Sequence, residues 1–221
     1  MSRSRFERVR TYPHELSAPV DLLIPTGDLI EGGAVQEYRA IAEAVAGNIP
    51  AFFCPGNRDQ REHFHATLSA DRVAEHLPAG APVNYAWTFG GFTVKMLDSS
   101  VPGQYHGALD PATIGWLNAT PAELPRDTPV LIGMHHPPVE LGHPGVDRVR
   151  LPDAEPLAAT LRRYPDIVAV LVGRTHAATA TTFVGRPPMD EAASPGLAIP
   201  LPHDDISDGA RITNYYRTVV S

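Results

Sequence analysis

The chain of 221 residues has a single cysteine, Cys54, so an intrachain disulfide is excluded. That scarcity makes the cytoplasmic compartment the expected one. No apolar run approaches the roughly 18 residues of a membrane helix, so no membrane association is expected. There is no excess of basic charge. Lys+Arg number 18 against 25 Asp+Glu, for a net charge of −7, which argues against a nucleic acid polymer as partner. Arg3, Arg5, Arg8 and Arg10 are not followed by an apolar segment, so the N-terminus does not read as a secretory signal. Repeats and low-complexity tracts are absent. Two residue types are abundant instead. Proline, at 23, stands at about twice its usual share and implies many fixed loops. Histidine, at 10, offers many bases or ligands.

Short apolar runs alternate with amphipathic stretches. Val20 to Ile24 reads as a buried strand ended by Pro25 and Gly27, and Ala51 to Cys54 as a second ended by Pro55 and Gly56. Between them Val35, Tyr38, Ile41, Ala42 and Val45 recur at helical spacing, with Gly47 placed as a stop. A helix is predicted from about Gln60 to His76. Tyr85 to Phe89 and Phe92 to Leu97 flank Gly90-Gly91, a hairpin signal. Asp110-Pro111 starts a helix carrying Ile114, Trp116 and Leu117. Val130 to Met134 is a strand, Asp153 caps a helix through Arg163, and Ile167 to Val172 is a strand. Ala180 to Val184 and Arg211 to Val220 read as further strands, whereas Met1 to Ala18 reads as a polar helix. The fold class is α/β with mixed sheets.

Four of these strands end in polar clusters beside a glycine or proline. These are Gly27-Asp28, Gly56-Asn57-Arg58-Asp59, His135-His136-Pro137-Pro138 and Gly173-Arg174-Thr175-His176. Ligands of α/β sheets gather beyond the carboxyl ends of strands. A carboxylate, an amide and several imidazoles meeting there suit a hard-to-borderline cation. His63 and His65, two apart on a helix, point to different faces and read as solvated rather than as a ligand pair. His106, His143 and Asp147 fall in loops near this edge, and Cys54 reads as inert core.

In order and composition these blocks resemble the calcineurin-like metallophosphoesterases, in particular the bacterial class III cyclic-nucleotide phosphodiesterases. The family pattern is Asp-x-His, Gly-Asp, Gly-Asn-His-Asp, a His before Pro-Pro, and Gly-His-x-His. Four of the five blocks stand here between about Val20 and Gly185, and Asp98-Ser-Ser-Val-Pro-Gly103 followed by Gly107 resembles the stretch after the family's central hairpin. The resemblance implies a single domain over residues 1–221 with a two-sheet β-sandwich flanked by helices (αββα). It implies Asp28, Asn57, His135 and His176 as metal ligands, with Asp28 bridging. It also implies Arg58 at the position of the catalytic histidine, Asp59 as the residue that orients that position, and His136 beside the substrate. The cofactor would be divalent Mn, Fe, Zn or Mg, and the ligand a small-molecule phosphoester.

The chain departs from the pattern in three places. Only 26 residues precede Gly27, and Met1 to Ala18 holds no Asp, so the Asp-x-His block and the family's first strand are expected to be missing. Arg58 replaces the catalytic histidine. Arg174 replaces the first histidine of Gly-His-x-His. A guanidinium about 4 Å from a dication costs about 8 kcal/mol at an effective dielectric near 20. One ion rather than two, or none, is therefore expected. The expectation is a metal-dependent phosphodiesterase with an incomplete site and weak activity. Its rivals are a phosphate- or nucleotide-binding pseudoenzyme using Arg58 and Arg174, and an interaction scaffold. A sheet edge exposed by the missing strand would favour a homodimer.

Overall fold

Each layer of the fold is built from residues that alternate between two environments. The computed structural model describes residues 20–30, 32–46, 49–69, 78, 80–89, 91–119, 128–174, 179–184 and 188–190. Its centre is a six-stranded mixed sheet in the order β1-β2-β3-β4-β6-β5. The strands are β1 (Tyr85–Phe89), β2 (Phe92–Met96), β3 (Val130–Gly133), β4 (Ile167–Val172), β5 (Thr179–Ala180) and β6 (Pro188–Asp190). β1 and β2 form the expected antiparallel hairpin, closing with Phe89 opposite Phe92. β2, β3, β4 and β6 run parallel, and β5 returns antiparallel to β6.

Both faces of the central strands are covered, which is why β3 and β4 read as continuous apolar runs. Val130, Ile132, Ile167, Val170 and Val172 face one core, shared with Leu117, Leu157 and Leu161. Leu131, Ala169 and Leu171 face the opposite core, shared with Ile24, Phe52 and Cys54. Strict alternation fails once, because the register slips between Val130 and Leu131. That irregularity lets Ile167 and Val170, three apart, point to the same side.

The first core lies under α3 (Pro111–Ala119) and α4 (Glu155–Arg163). The Asp110 carboxylate accepts the Thr113 N–H at 2.7 Å, as an N-cap does, whereas Asp153, expected as a cap, stands one residue before the N-cap Ala154 and accepts the Glu155 N–H at 3.3 Å. Across the sheet lie two extended segments, residues 22–26 and 51–54. Leu22, Ile24, Phe52 and Cys54 turn toward the sheet, whereas Leu23, Ala51 and Phe53 turn away into a third core. That third core is roofed by α1 (Val35–Val45), by α2 (Arg61–Phe64) and by the wider helical turn that follows at His65–Ser69. The layers are thus helix, sheet, extended pair and helix, the αββα order.

The strands expected at 20–24 and 51–54 differ from expectation in one respect. They pair in parallel only at Leu23 and Ala51, with Phe52 N–H on Leu23 O at 2.9 Å and Cys54 N–H on Pro25 O at 3.3 Å. Pro25, Pro50 and Pro55 lack the N–H that a longer ladder needs. The helix expected from Gln60 to His76 is described only to Ser69. His63 is half-buried rather than solvated, with Nδ1 bonded to Gly33 O at 2.7 Å. The expected helix before residue 19 and the expected strand Arg211 to Val220 lie outside the described residues. Among the described residues, no helix is long and apolar enough to cross a membrane.

Candidate functional site

Parallel pairing brings the polar clusters together. Residues 22–26 run parallel to 51–54, and β2, β3 and β4 run parallel to one another, so each group is delivered to one edge by its strand's carboxyl end. The first segment delivers Gly27 and Asp28, the second Gly56 to Asp59, β2 Asp98 to Ser100, β3 His135 and His136, and β4 Gly173 and Arg174.

The approach is close enough to dictate residue type. Gly27 has φ +94°, and a Cβ there would sit 2.7 Å from both Gly56 N and His135 Nδ1. A Cβ on Gly56 would overlap the Asp28 backbone and carboxylate. Asp28 itself is held at φ +50°, a left-handed conformation that costs a non-glycine residue on the order of 1 kcal/mol. The fold retains that strain at the residue from which the site radiates.

Asp28 is nearly buried, and four groups converge on its carboxylate. Oδ1 accepts the Arg58 backbone N–H at 3.0 Å and faces His135 Nε2 at 3.6 Å. Oδ2 lies 3.6 Å from Arg174 Nη1 and 3.8 Å from Arg58 Nε. The Arg58 side chain is half exposed and that of Arg174 largely covered. Burial pulls the Arg174 guanidinium below its usual pKa, the Asp28 charge pulls the other way, and Arg58 adds to the lowering. His135 is fixed from behind. Its Nδ1–H donates to Thr26 O at 2.7 Å, which sets the tautomer and aims Nε2 at Asp28. Asn57 Oδ1 is buried and accepts no hydrogen bond from any described residue.

Two of these residues make contacts other than those their expected roles name. Asp59 bonds groups other than the Arg58 side chain. Its carboxylate accepts the Gly56 N–H at 2.8 Å, the Leu29 N–H at 3.3 Å and the Tyr38 hydroxyl at 3.1 Å, stapling both polar loops to α1. Burial pushes its pKa up to about 7, and the nearby Asp28 adds to the rise, against the lowering effect of the Gly56 N–H bond. His136, expected beside the substrate, is fully buried. Its Nε2–H donates to Tyr105 O at 3.2 Å and its Nδ1 accepts from Ser99 Oγ at 2.8 Å, so both ring nitrogens are taken by the protein. Burial, with His135 beside it, drives its pKa far down and keeps it neutral. Asp147 is likewise a loop cap, accepting the Leu141 N–H at 2.8 Å. His176 and Thr175 lie outside the described residues.

Ser99, Tyr105 and Tyr38 were not singled out as site residues by sequence reasoning. Ser99 lies in the quoted Asp98-Ser-Ser-Val-Pro-Gly103 stretch, which was the available signal. Its neighbour Asp98 anchors that stretch by accepting Arg61 Nε at 2.6 Å, the Val83 N–H at 3.1 Å and the Ser100 hydroxyl at 2.6 Å.

The donor set can be tested against a metal. Asp28, Asn57 and His135 supply one carboxylate, one amide and one imidazole. Among the described residues no cluster of three or more His, Cys, Asp or Glu forms that could hold an ion. Two guanidiniums stand against the remaining face of the only carboxylate in that donor set. The described residues therefore do not fit a dinuclear centre.

The calcineurin-like phosphoesterase family model matches residues 3–178. A probable cyclic nucleotide phosphodiesterase of Rhodococcus erythropolis is 36% identical over 76% of this chain and 55% of its own length. A glycerophosphodiester phosphodiesterase of Enterobacter lignolyticus is 30% identical over 74% of this chain and 58% of its own. The chain thus spans less than two thirds of the length of these curated relatives. The crystal structure of a dimetal phosphatase from Danio rerio shares the fold with a TM-score of 0.67, at 13% identity over 88% of this chain and 79% of that one. Divalent metal use is implied for the family, and the match covers every polar loop described above. On this footing the chain belongs to the calcineurin-like phosphoesterase family.

Proposed function

We propose that the chain binds a small phosphodiester at the Asp28 edge, gripping the phosphate with Arg58 and Arg174. The observation that carries this reading is the convergence of both guanidiniums on the single Asp28 carboxylate. Two positive charges against one negative leave a net charge of +1, which matches a phosphodiester monoanion. Guanidinium is planar, permanently charged and suited to two-point phosphate contact. In this reading Asp28 is the counter-ion that pre-positions both arginines before the ligand arrives. The names of the two relatives, a cyclic nucleotide and a glycerophosphodiester phosphodiesterase, support the same ligand class.

A second reading, a phosphodiesterase holding one divalent cation, is favoured by a different observation. Asn57 Oδ1 is a buried acceptor without a hydrogen bond among the described residues, and the next residue's N–H, that of Arg58, bonds the Asp28 carboxylate. Asp28, Asn57 and His135 would be its ligands, with His176 the further candidate.

Calorimetric titration of the protein with a nucleoside cyclic monophosphate, in Mn²⁺ and again in excess chelator, separates the two. Binding that survives chelator and weakens about 10- to 100-fold in R174A supports guanidinium recognition. Binding that vanishes with chelator overturns it. Hydrolysis of an aryl phosphodiester that rises with Mn²⁺ and is lost in D28A then establishes the second reading.

A further inference from the structure

We propose that Tyr105 is a stacking platform for a nucleobase, so that the Asp28 edge prefers a nucleoside cyclic monophosphate over a diester without an aromatic group. The inference rests on the phosphodiester reading above and names the part of the ligand that lies beyond the phosphate.

Tyr105 is 68% exposed, whereas among the described residues Trp87 is the other exposed large hydrophobic. A single exposed aromatic is unremarkable by itself. This one differs in how it is held. Its carbonyl accepts the Nε2–H of buried His136, whose other ring nitrogen is fixed by Ser99. Two residues on, Gly107 packs flat against the same imidazole, where a Cβ would come within 2.5 Å of His136 Cγ. The Gly107 N–H donates to Arg150 O, and the Ala108 N–H to Ser99 O, both at 3.1 Å. A turn from Val101 to Gln104 closes the loop from the other side at 2.9 Å. The backbone beneath the ring is therefore tied down, while the ring itself is left in solvent.

The location matches the role. The His136 ring, whose Nε2–H the Tyr105 carbonyl accepts, lies 4.8 Å centroid to centroid from the His135 ring, and His135 faces Asp28. Tyr105 is thus joined through two adjacent imidazoles to the carboxylate that gathers the two arginines. Trp87, the other large exposed aromatic among the described residues, instead leans on Phe52 from the edge strand β1, with ring centroids 6.4 Å apart. Aromatic faces bind bases with little regard to identity, because every base offers a π-face. The platform accordingly selects for a nucleobase without choosing between adenine and guanine.

The test is calorimetric titration of the full chain with two probes, adenosine 3′,5′-cyclic monophosphate and glycerophosphoethanolamine, in wild type, Y105A and Y105W. The expected result is a loss of about tenfold in nucleotide affinity in Y105A, unchanged glycerophosphoethanolamine affinity, and retained nucleotide affinity in Y105W. A Y105A variant that changes both affinities equally, or neither, overturns the platform while leaving the phosphodiester reading intact. A wild-type protein that binds neither probe overturns the phosphodiester reading, and the platform with it.

Discussion

Arg174 sets its Nη1 3.6 Å from Asp28 Oδ2, on the carboxylate oxygen other than the one that faces His135. The aspartate is thereby shared between an imidazole and a guanidinium. A dication seated on Asp28 would have to share space with that positive charge. Replacing the arginine by histidine removes the charge and adds a donor. Arg174→His is therefore expected to raise Mn²⁺ affinity at least about tenfold, measured by equilibrium dialysis or calorimetry on metal-stripped protein. An unchanged affinity would show that Arg174 does not oppose the cation.

The staple at Asp59 makes a pH prediction. Its pKa rises from an ordinary 3.8 to about 7 on folding, chiefly through burial. Between those values the native state holds a proton that the unfolded chain has released. Stability from this group is fully present below the unfolded pKa and is lost as pH rises through about 7. Asn in place of Asp59 imitates the protonated acid, with its carbonyl for the Gly56 and Leu29 N–H groups and its amide for Tyr38. Denaturant unfolding of wild type and D59N from pH 4 to pH 8 should show wild type losing stability relative to the variant as pH rises. Parallel curves would place the Asp59 pKa near its unfolded value.

The strand ends were legible in the sequence because a glycine or proline followed by polar residues marks where an apolar run must stop. Parallel pairing then does the rest, so Asp28, Asn57, Arg58, His135 and Arg174 meet without any one of them announcing its neighbours. What was not legible is which polar side chains face inward. Asp59 and His136 have the residue types of a reacting group, yet one is held by two backbone N–H groups and a tyrosine, and the other by Ser99 and the Tyr105 carbonyl. Those partners lie between 3 and 37 residues away in the chain, so no local pattern foretells them. The short pairing of residues 23 and 51 has a signal in hindsight, since prolines bound that ladder.

Ser99 should matter to binding through His136. Its hydroxyl donates to Nδ1 and accepts the His136 backbone N–H at 3.2 Å, so alanine leaves two buried groups without it. The loss is expected to cost about 1–3 kcal/mol of stability. The loop carrying Tyr105 should loosen as well, read as faster amide exchange at residues 104–108 in S99A. Exchange unchanged from wild type would separate His136 from the control of that loop.

Lys95 offers the last test, at a distance from the polar edge. It is fully buried on β2, with Nζ 3.4 Å from Leu117 O and 5.7 Å from the centroid of the Trp116 ring. One long hydrogen bond to a helix-end carbonyl and a cation–π contact compensate its desolvation only in part, and burial lowers its pKa from 10.5 to about 8. The unfolded chain therefore binds more protons than the native state between those two values, so this group's contribution to stability rises with pH across that window. Methionine has a similar length and no charge to desolvate. At pH 7, K95M is expected to unfold at a higher temperature than wild type, by roughly 2–4 °C per kcal/mol gained. The gap should narrow as pH climbs from 8 to 10.5, where wild-type Lys95 is neutral when folded. Scanning calorimetry of both proteins across that range checks the sign, and a gap that widens with pH would mean the lysine stays charged in the core.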